Sequence, residues 1–143
     1  MLVHAVFATR NRLPLLDSEV KSELFPYMAA IVNKLGGRAL LINGPRDHAH
    51  VLFALPASVP LADMMEKLKA SSSKWIHQRW PKRRAFAWQE GYAAFSVSHS
   101  NLAVVMDYIK RQEEHHARRS FREELIEFLE KNEIPYDPRY VGP

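Results

Sequence analysis

The chain has 143 residues, of which 47% are hydrophobic and 25% charged, a composition typical of a folded globular protein, and we expect one domain over residues 1–143. It contains no cysteine, which excludes disulfide bonds, thiolate metal sites and cysteine nucleophiles and agrees with a reducing, cytoplasmic location. The formal net charge of +4 fits a polyanionic partner, while no signal peptide is expected and no segment approaches the roughly 20 apolar residues of a membrane span.

Four segments predict β-strands, because they are short, rich in apolar and β-branched residues, and bounded by turn residues. The turn signal GPRD at residues 44–47 joins two of them as a hairpin. The predicted strands are residues 2–8, 38–43, 48–55 and 92–98, with AFAW at 85–88 as a short additional partner.

Helices are predicted between and after these strands, where apolar residues recur every three or four positions. Asp17 or Ser18 can cap the first helix, and Gly36 can end it because glycine tolerates the left-handed conformation beyond a helix. Pro26 predicts a kink or a shifted start in this helix. The second helix opens at 58–60, the third spans about 101–116, and the fourth begins at the capping box SFRE (120–123), before an irregular tail at about 132–143.

The predicted order is β-α-β-β-α-β followed by further helices. This order is typical of an α+β fold in which helices pack on an antiparallel sheet. We therefore expect a ferredoxin-like sandwich with helices mainly on one face of the sheet and extra helices at the C-terminus.

Two histidines interrupt the apolar run HAHVLFAL. Because side chains alternate along a strand, His48 and His50 point to the same face, about 6 to 7 Å apart along the chain. Two imidazoles at this separation can converge on one divalent ion and leave coordination positions open. Asp47 precedes them and can accept a hydrogen bond from a ligating ring. The structural alternative is a pair of histidines that simply pack in the core.

The segment MDYIKRQEEHH (106–116) places further polar side chains on the predicted third helix. Tyr108 and Gln112 are four residues apart and share a helix face, where Gln112 offers an amide oxygen and Tyr108 a phenol. Glu113, His115 and His116 are additional candidate ligands one turn later. A tyrosine at helical spacing from a glutamine is ordinarily a surface residue, so this spacing alone does not indicate a site.

Basic residues are interleaved with aromatic residues in WIHQRWPKRR (75–84), and TRNR (9–12) adds two further arginines. Such a pattern suits a single strand of phosphates with exposed bases, and Trp80 or Trp88 can stack on an unpaired base. The alternative is a solvated loop whose tryptophans are anchored in the core. The candidate phosphate contacts are Arg10, Arg12, Lys67, Lys74, Arg79, Lys82, Arg83 and Arg84.

Four segments in this order, DHAHVLF, LKASSSKWI, WQEGYAAFSVSHS and YIKRQEEHH, closely resemble the single-tyrosine HUH transposases of small bacterial insertion sequences. The name HUH denotes histidine, hydrophobic residue, histidine, and Ala49 is the middle residue here. The likeness covers nearly the whole chain. It also extends to chromosomal relatives associated with repeated palindromes, so the chain could be a domesticated copy.

This resemblance implies specific roles. His48, His50 and Gln112 correspond to the ligands of Mg²⁺ or Mn²⁺, and Tyr108 corresponds to the nucleophile. The implied reaction cleaves and rejoins single-stranded DNA at hairpin-flanked ends through a 5′-phosphotyrosine intermediate. A homodimer is implied as well, in which the tyrosine helix serves the histidines of its own subunit or of the other.

Two other functions remain open. Ferredoxin-like sheets also bind RNA through surface aromatics, so the chain could be a nucleic-acid-binding module without catalysis. A two-histidine hydrolase or oxygenase is the second alternative. It fits the predicted sheet poorly, because no third histidine or carboxylate follows HAHVLF at strand spacing.

Overall fold

The computed structural model describes residues 1–112 and 121–137 of the chain. Its strands are β1 (Leu2–Ala8), β2 (Arg38–Asn43), β3 (His48–Ala54) and β4 (Ala93–Val97). Its helices are α1 (Ser18–Lys34), α2 (Leu61–Arg79), α3 (Leu102–Lys110) and α4 (Phe121–Lys131). In these residues no helix has the length and apolar character needed to cross a membrane.

The four strands form one antiparallel sheet in the order β2-β3-β1-β4. Read from the other edge, this is the strand order of a ferredoxin-like βαββαβ fold, so the predicted fold class is confirmed. β1 and β3 are the two central strands, and their register pairs Val6 with His50 and His4 with Leu52. The histidine strand therefore lies inside the sheet, with a neighbour on each side.

Helices cover both faces of the sheet. Val3, Ala5 and Phe7 of β1 pack in one core with α1 and α2, together with the odd-numbered residues 49, 51 and 53 of β3. Val6 and Leu52 belong to the opposite face and pack with residues of α3 and α4. The extra C-terminal helices thus bury the second face, which explains why every residue from His48 to Phe53 is buried.

Several predicted boundaries differ from the structure. α1 begins at Ser18 and continues through Pro26, so the proline does not shift the start of the helix. The segment 85–88 forms no strand and contributes only a single bridge, between Trp88 and Thr9. α3 ends at Lys110 rather than at about residue 116, because Arg111 leaves the helical conformation. Residues 113–116 of the predicted helix, with Glu113, His115 and His116, lie outside the described residues.

Backbone hydrogen bonds fix the segment just before β3. The amide of Thr9 donates to the carbonyl of Asp47 at 2.8 Å, and the amide of Leu16 donates to the carbonyl of Arg46 at 2.9 Å. On the other side of the hairpin turn, Gly44 is buried against the backbone of His48 and Ala49. The start of β3 is therefore held from both sides, which sets the position of His48.

The TRNR segment is held in turn by the loop that precedes β4. The amide of Arg10 donates to the carbonyl of Ala87 at 2.9 Å, and the amide of Gln89 donates to the carbonyl of Ala8 at 2.7 Å. Lys69 of α2 donates to the carbonyl of Gln89 at 2.7 Å, which anchors this loop to the helix. Contacts between the LKASSSKWI and WQEGYAAF segments therefore support the turn next to Asp47.

We expect Gly44→Ala to lower the free energy of unfolding by about 2 kcal/mol or more, because a tightly packed site can admit an extra methyl group only if the surrounding backbone shifts. A Cβ at this position would overlap the carbonyl oxygen of His48 and approach Cα of Ala49 to 3.1 Å. Urea denaturation measures the loss. Gly91→Ala is the control, because Gly91 has a φ of +85° but open space around it, and about 1 kcal/mol is expected there. Equal losses in the two variants would contradict a steric role for Gly44.

Asp17 caps α1, and its stabilising effect should depend on pH. Its carboxylate accepts from the amide of Val20 at 3.0 Å and lies 2.8 Å from Nη1 of Arg83; the Val20 hydrogen bond and then Arg83 lower the pKa of Asp17. We expect Asp17→Ala to cost about 1 kcal/mol at pH 7. Because the lowered pKa stabilises the folded state only while the carboxylate is ionised, this difference should shrink as the pH falls below about 4. Urea titrations at pH 7 and pH 3 measure it.

Asp17→Asn is the matched control for this experiment. Asparagine is also a good N-cap, so this variant should retain most of the stability at pH 7 and lose only the contribution of the charge. A difference between wild type and Asp17→Ala that does not change with pH would contradict the assignment of that contribution to the ionised carboxylate.

Candidate active site

Three polar atoms from two distant parts of the chain converge on one point. Nε2 of His48 lies 3.1 Å from Nε2 of His50 and 3.3 Å from Oε1 of Gln112. Two ligands bonded to one metal ion at about 2.1 Å are themselves about 3.0 to 3.4 Å apart, depending on whether the angle between the bonds is octahedral or tetrahedral. The distances from His48 to His50 and from His48 to Gln112 are therefore those of neighbouring ligands of a single ion. All three are fully buried.

Asp47 sets the tautomer of the first histidine. Its Oδ1 lies 2.8 Å from Nδ1 of His48, so Nδ1 of a neutral ring carries the proton and donates it to the carboxylate. Nε2 of His48 then presents a lone pair toward His50 and Gln112. Burial lowers the pKa of His48, and the hydrogen bond to Asp47 opposes this in part. A neutral ring with a bare Nε2 is the form that binds a metal ion.

The second histidine has a partner that the sequence analysis did not identify. Nδ1 of His50 lies 2.8 Å from Nε2 of His4 on the neighbouring strand, and the two rings stack with centroids 5.1 Å apart. His4 is 1% exposed, and this burial lowers its pKa to about 3. The ring of His4 is therefore neutral at physiological pH.

Asn43 and Gln112 hold the end of α3 against the histidines. The side-chain amide of Asn43, the last residue of β2, donates to the carbonyl of Ile109 at 2.9 Å. The amide nitrogen of Gln112 donates to the carbonyl of Tyr108 at 3.2 Å, which leaves its oxygen facing His48. The four-residue spacing of Tyr108 and Gln112 thus aims one amide atom at the helix and the other at the imidazole.

The donor set suits a divalent cation. Two imidazole nitrogens and an amide oxygen can each offer a lone pair to one ion, and atoms of this kind that face one another at 3.1 to 3.3 Å are stabilised by a shared proton or a cation. In the part of the chain that the structure describes, no group of three His, Cys, Asp or Glu side chains is placed to hold a metal ion. Oε1 of Gln112, 3.3 Å from Nε2 of His48, could add an oxygen ligand to the two imidazoles.

Tyr108 lies beside this cluster in the same chain. Its ring centroid is 5.5 Å from that of His50, with the rings nearly perpendicular, and 4.0 Å from the stacked ring of Phe128 on α4. The tyrosine is 6% exposed and its hydroxyl oxygen is buried. Burial, and then the nearby carboxylate of Glu124, raise the pKa of this phenol above its usual value. The phenol is therefore protonated in this arrangement.

Most of the predicted phosphate contacts lie on the surface, but some of them form ion pairs within the chain. Arg79 pairs with Glu23 at 3.0 Å, and Arg83 pairs with Asp17 at 2.8 Å. Arg12 lies 3.4 Å from Asp47 and so adjoins the histidine cluster. The exposed members of the set are Arg10, Lys67, Lys74, Arg79, Lys82 and Arg84.

The two candidate stacking tryptophans differ in their environment. Trp88 is 7% exposed, packs edge-on against Phe7 and donates to the hydroxyl of Ser72 at 2.9 Å, as the core interpretation predicts. Trp80 is half-buried, and its indole nitrogen donates to Glu19 at 3.2 Å. The guanidinium of Arg79 lies 5.0 Å from its ring centroid. Trp80 is therefore the more accessible ring of the two.

Sequence reasoning missed His4 and Glu124, which both contact the predicted site. A signal existed for His4, since a histidine within the apolar strand LVHAVFA is as unusual as the pair in HAHVLFA. Glu124 is a buried carboxylate in the first turn of α4. Glu124 lies on the side of α4 that packs beside α3. No local sequence pattern indicates that these two helices pack together, so its position near Tyr108 could not be predicted.

Comparisons with known proteins agree with this fold. A search of curated proteins gave no match. A crystal structure of a candidate transposase from Deinococcus radiodurans R1 is similar with a TM-score of 0.65 and 22% identity, covering 78% of this chain and 90% of that one. A repeat-associated (REP) tyrosine transposase bound to a REP hairpin is similar with a TM-score of 0.64 and 14% identity, covering 81% of this chain and 68% of that one. At these identities the two structures establish the fold.

A family model covers most of the chain. The model described as "Transposase IS200 like" matches residues 1–112, which contain all four strands, the histidine pair, Tyr108 and Gln112. The chain therefore belongs to the IS200-like transposase family.

Proposed function

We propose that this chain cleaves and rejoins single-stranded DNA through a covalent bond between Tyr108 and a 5′-phosphate. The observation that carries the proposal is the packing of the Tyr108 ring 5.5 Å from His50, beside the point where two imidazole nitrogens and an amide oxygen converge. A tyrosine beside a set of potential metal ligands is the combination that phosphoryl transfer to a phenol requires.

The reaction balances without an external energy source. The phenol oxygen of Tyr108 attacks a backbone phosphorus, the bond from phosphorus to the 3′-oxygen breaks, and the phenol proton is lost while the 3′-oxygen leaves as a hydroxyl. A second 3′-hydroxyl then attacks the phosphotyrosine, which reverses the bond changes and joins new ends. The covalent link conserves the phosphodiester bond energy, so the reaction needs no nucleoside triphosphate.

Mg²⁺ or Mn²⁺ is the proposed cofactor, with His48, His50 and Gln112 as its protein ligands. When bound, such an ion polarises a non-bridging phosphate oxygen and stabilises negative charge on the leaving oxygen. Asp47 keeps the proton of His48 on Nδ1, which leaves the ligating nitrogen bare.

The Tyr108 hydroxyl must become accessible before it can react. Its oxygen is buried, and the ring is stacked on Phe128 of α4. A DNA phosphate can therefore reach it only if α3 and α4 shift relative to each other, whether within one subunit or by exchange of the tyrosine helix between the subunits of the predicted homodimer.

The proposed substrate is single-stranded DNA with a hairpin near the cleavage point. One structural neighbour was solved bound to a REP hairpin, and the exposed basic residues of α2 and the following loop suit a phosphate backbone. The ion pairs of Arg79 and Arg83 with α1 compete with such contacts, so Lys67, Lys74, Lys82 and Arg84 are the better candidates from this region.

We expect Tyr108→Phe to abolish the covalent adduct between the protein and labelled hairpin DNA, because the variant retains the ring but lacks the attacking oxygen. Gel electrophoresis in SDS after incubation with Mn²⁺ measures the adduct. Tyr27→Phe is the control, because Tyr27 stacks on Trp75 on the other side of the sheet and should leave the adduct unchanged. An adduct of equal yield in Tyr108→Phe would contradict the proposal, and hairpin binding with no adduct in wild type would favour a non-catalytic module.

We expect His50→Ala and Gln112→Leu each to abolish cleavage while hairpin binding persists, because each removes one ligand without removing a surface charge. Cleavage on sequencing gels and binding by fluorescence anisotropy measure the two properties on the same preparation. His99→Ala changes a histidine that is exposed and should retain both. Parallel loss of cleavage and binding, with an unchanged melting temperature, would contradict a role of these residues in catalysis.

A further inference from the structure

A continuous chain of side-chain contacts passes through the histidine cluster and ends at a residue with no role in the proposed reaction. Asp47 contacts His48 at 2.8 Å, His48 contacts His50 at 3.1 Å, and His50 contacts His4 at 2.8 Å. His4 comes from β1, His48 and His50 come from the start of β3, and Asp47 immediately precedes β3. His4 is buried, and its ring hydrogen-bonds to His50, which is the contact through which it can influence the cluster.

We propose that His4 is a positioning residue for the metal ligand His50, whose Nδ1 proton it accepts so that Nε2 of His50 is bare and faces the ion. This inference rests on the proposed function, because it assumes that His48, His50 and Gln112 hold the cation. His4 would serve His50 as Asp47 serves His48, with a neutral ring in place of a carboxylate.

The geometry leaves His50 two arrangements of its single proton. If Nε2 carries the proton, it donates to the bare Nε2 of His48, and Nδ1 accepts from Nε2 of His4. If Nδ1 carries the proton, it donates to Nε2 of His4, and Nε2 is bare. Only the second arrangement can bind an ion. In both arrangements His4 and His50 each carry one proton. Going from the first arrangement to the second moves the proton of each ring from Nε2 to Nδ1, and the net charge does not change.

The surroundings of His4 explain why a histidine suits this position. Its ring stacks on His50 and is enclosed by Phe95, Tyr108 and Phe128 at centroid distances of 6.2 to 6.4 Å. A carboxylate would be costly in this aromatic enclosure, whereas a neutral imidazole can accept the same hydrogen bond. The same packing fixes the ring plane, which aims Nε2 at His50.

The test compares His4→Phe, which retains the ring shape but has no acceptor, with His4→Gln, whose amide oxygen can replace Nε2 as acceptor. Mn²⁺ affinity, measured by electron paramagnetic resonance without DNA, should fall by about 10- to 100-fold in His4→Phe and recover in His4→Gln. His77→Phe is the matched control, because it removes a histidine contact of 2.8 Å to the carbonyl of Phe86 on the other side of the sheet and should leave Mn²⁺ affinity unchanged.

A spectroscopic readout separates positioning from general stability. ¹⁵N-correlated spectra of the histidine rings in the Mg²⁺-saturated protein should show His50 with its proton on Nδ1 in wild type. A proton on Nε2 of His50 in the Mg²⁺-bound state would overturn the proposal. Wild-type affinity for Mn²⁺ in a folded His4→Phe variant would overturn it as well.

One further variant distinguishes failure of this inference from failure of the proposed function. If His50→Ala binds Mn²⁺ as tightly as wild type, then the metal site itself is wrong, and the role of His4 is overturned with it. If His50→Ala loses Mn²⁺ while His4→Phe retains it, only the role of His4 is overturned. Loss of affinity in both variants, with recovery in His4→Gln, is the expected result.

Discussion

The structure depends on the burial of a polar cluster in the middle of a sheet that is apolar on both sides. His48 and His50 lie on a central strand and are fully buried, so every ring nitrogen needs a hydrogen-bond partner or a bound ion. Asp47, His4 and Gln112 supply such partners from three separate segments. A half-satisfied cluster of this kind would cost more than an apolar core, which makes its geometry a strong constraint on the fold.

The surrounding architecture places these partners accurately. Thr9 and Leu16 hold the backbone before β3, and Lys69 and the loop before β4 hold the TRNR turn next to Asp47. Asn11 and Arg12 in this turn have positive φ values of 56° and 58°, an uncommon conformation for residues other than glycine. Backbone strain of this kind is typically retained next to functional sites, where the surrounding hydrogen bonds over-determine it. The contacts of the LKASSSKWI segment thus stabilise the turn that positions Asp47, and Asp47 in turn orients His48.

Local patterns in the sequence predicted a large part of this arrangement. The bounds of β1 and β2, the hairpin before β3 and the cap at Asp17 follow from turn residues, strand alternation and capping, which are properties of a few neighbouring residues. The common face of His48 and His50 follows from strand periodicity, whereas the placement of Gln112 beside them was implied by the family resemblance. These local patterns could not predict which distant segments pack together. The stacking of His4 on His50 and the pairing of Arg79 and Arg83 with α1 each join residues at least 46 positions apart. The covering of the second face by α3 and α4 also brings together residues of separate elements.

We propose that two imidazoles and an amide from distant segments form one cation site beside Tyr108. Crystals grown with Mn²⁺ and measured at a wavelength where manganese scatters anomalously locate that ion directly. We expect an anomalous peak at bonding distance from Nε2 of His48, Nε2 of His50 and Oε1 of Gln112 together. A protein saturated with Mn²⁺ whose peak lies elsewhere, with these three atoms still in mutual contact, would contradict it.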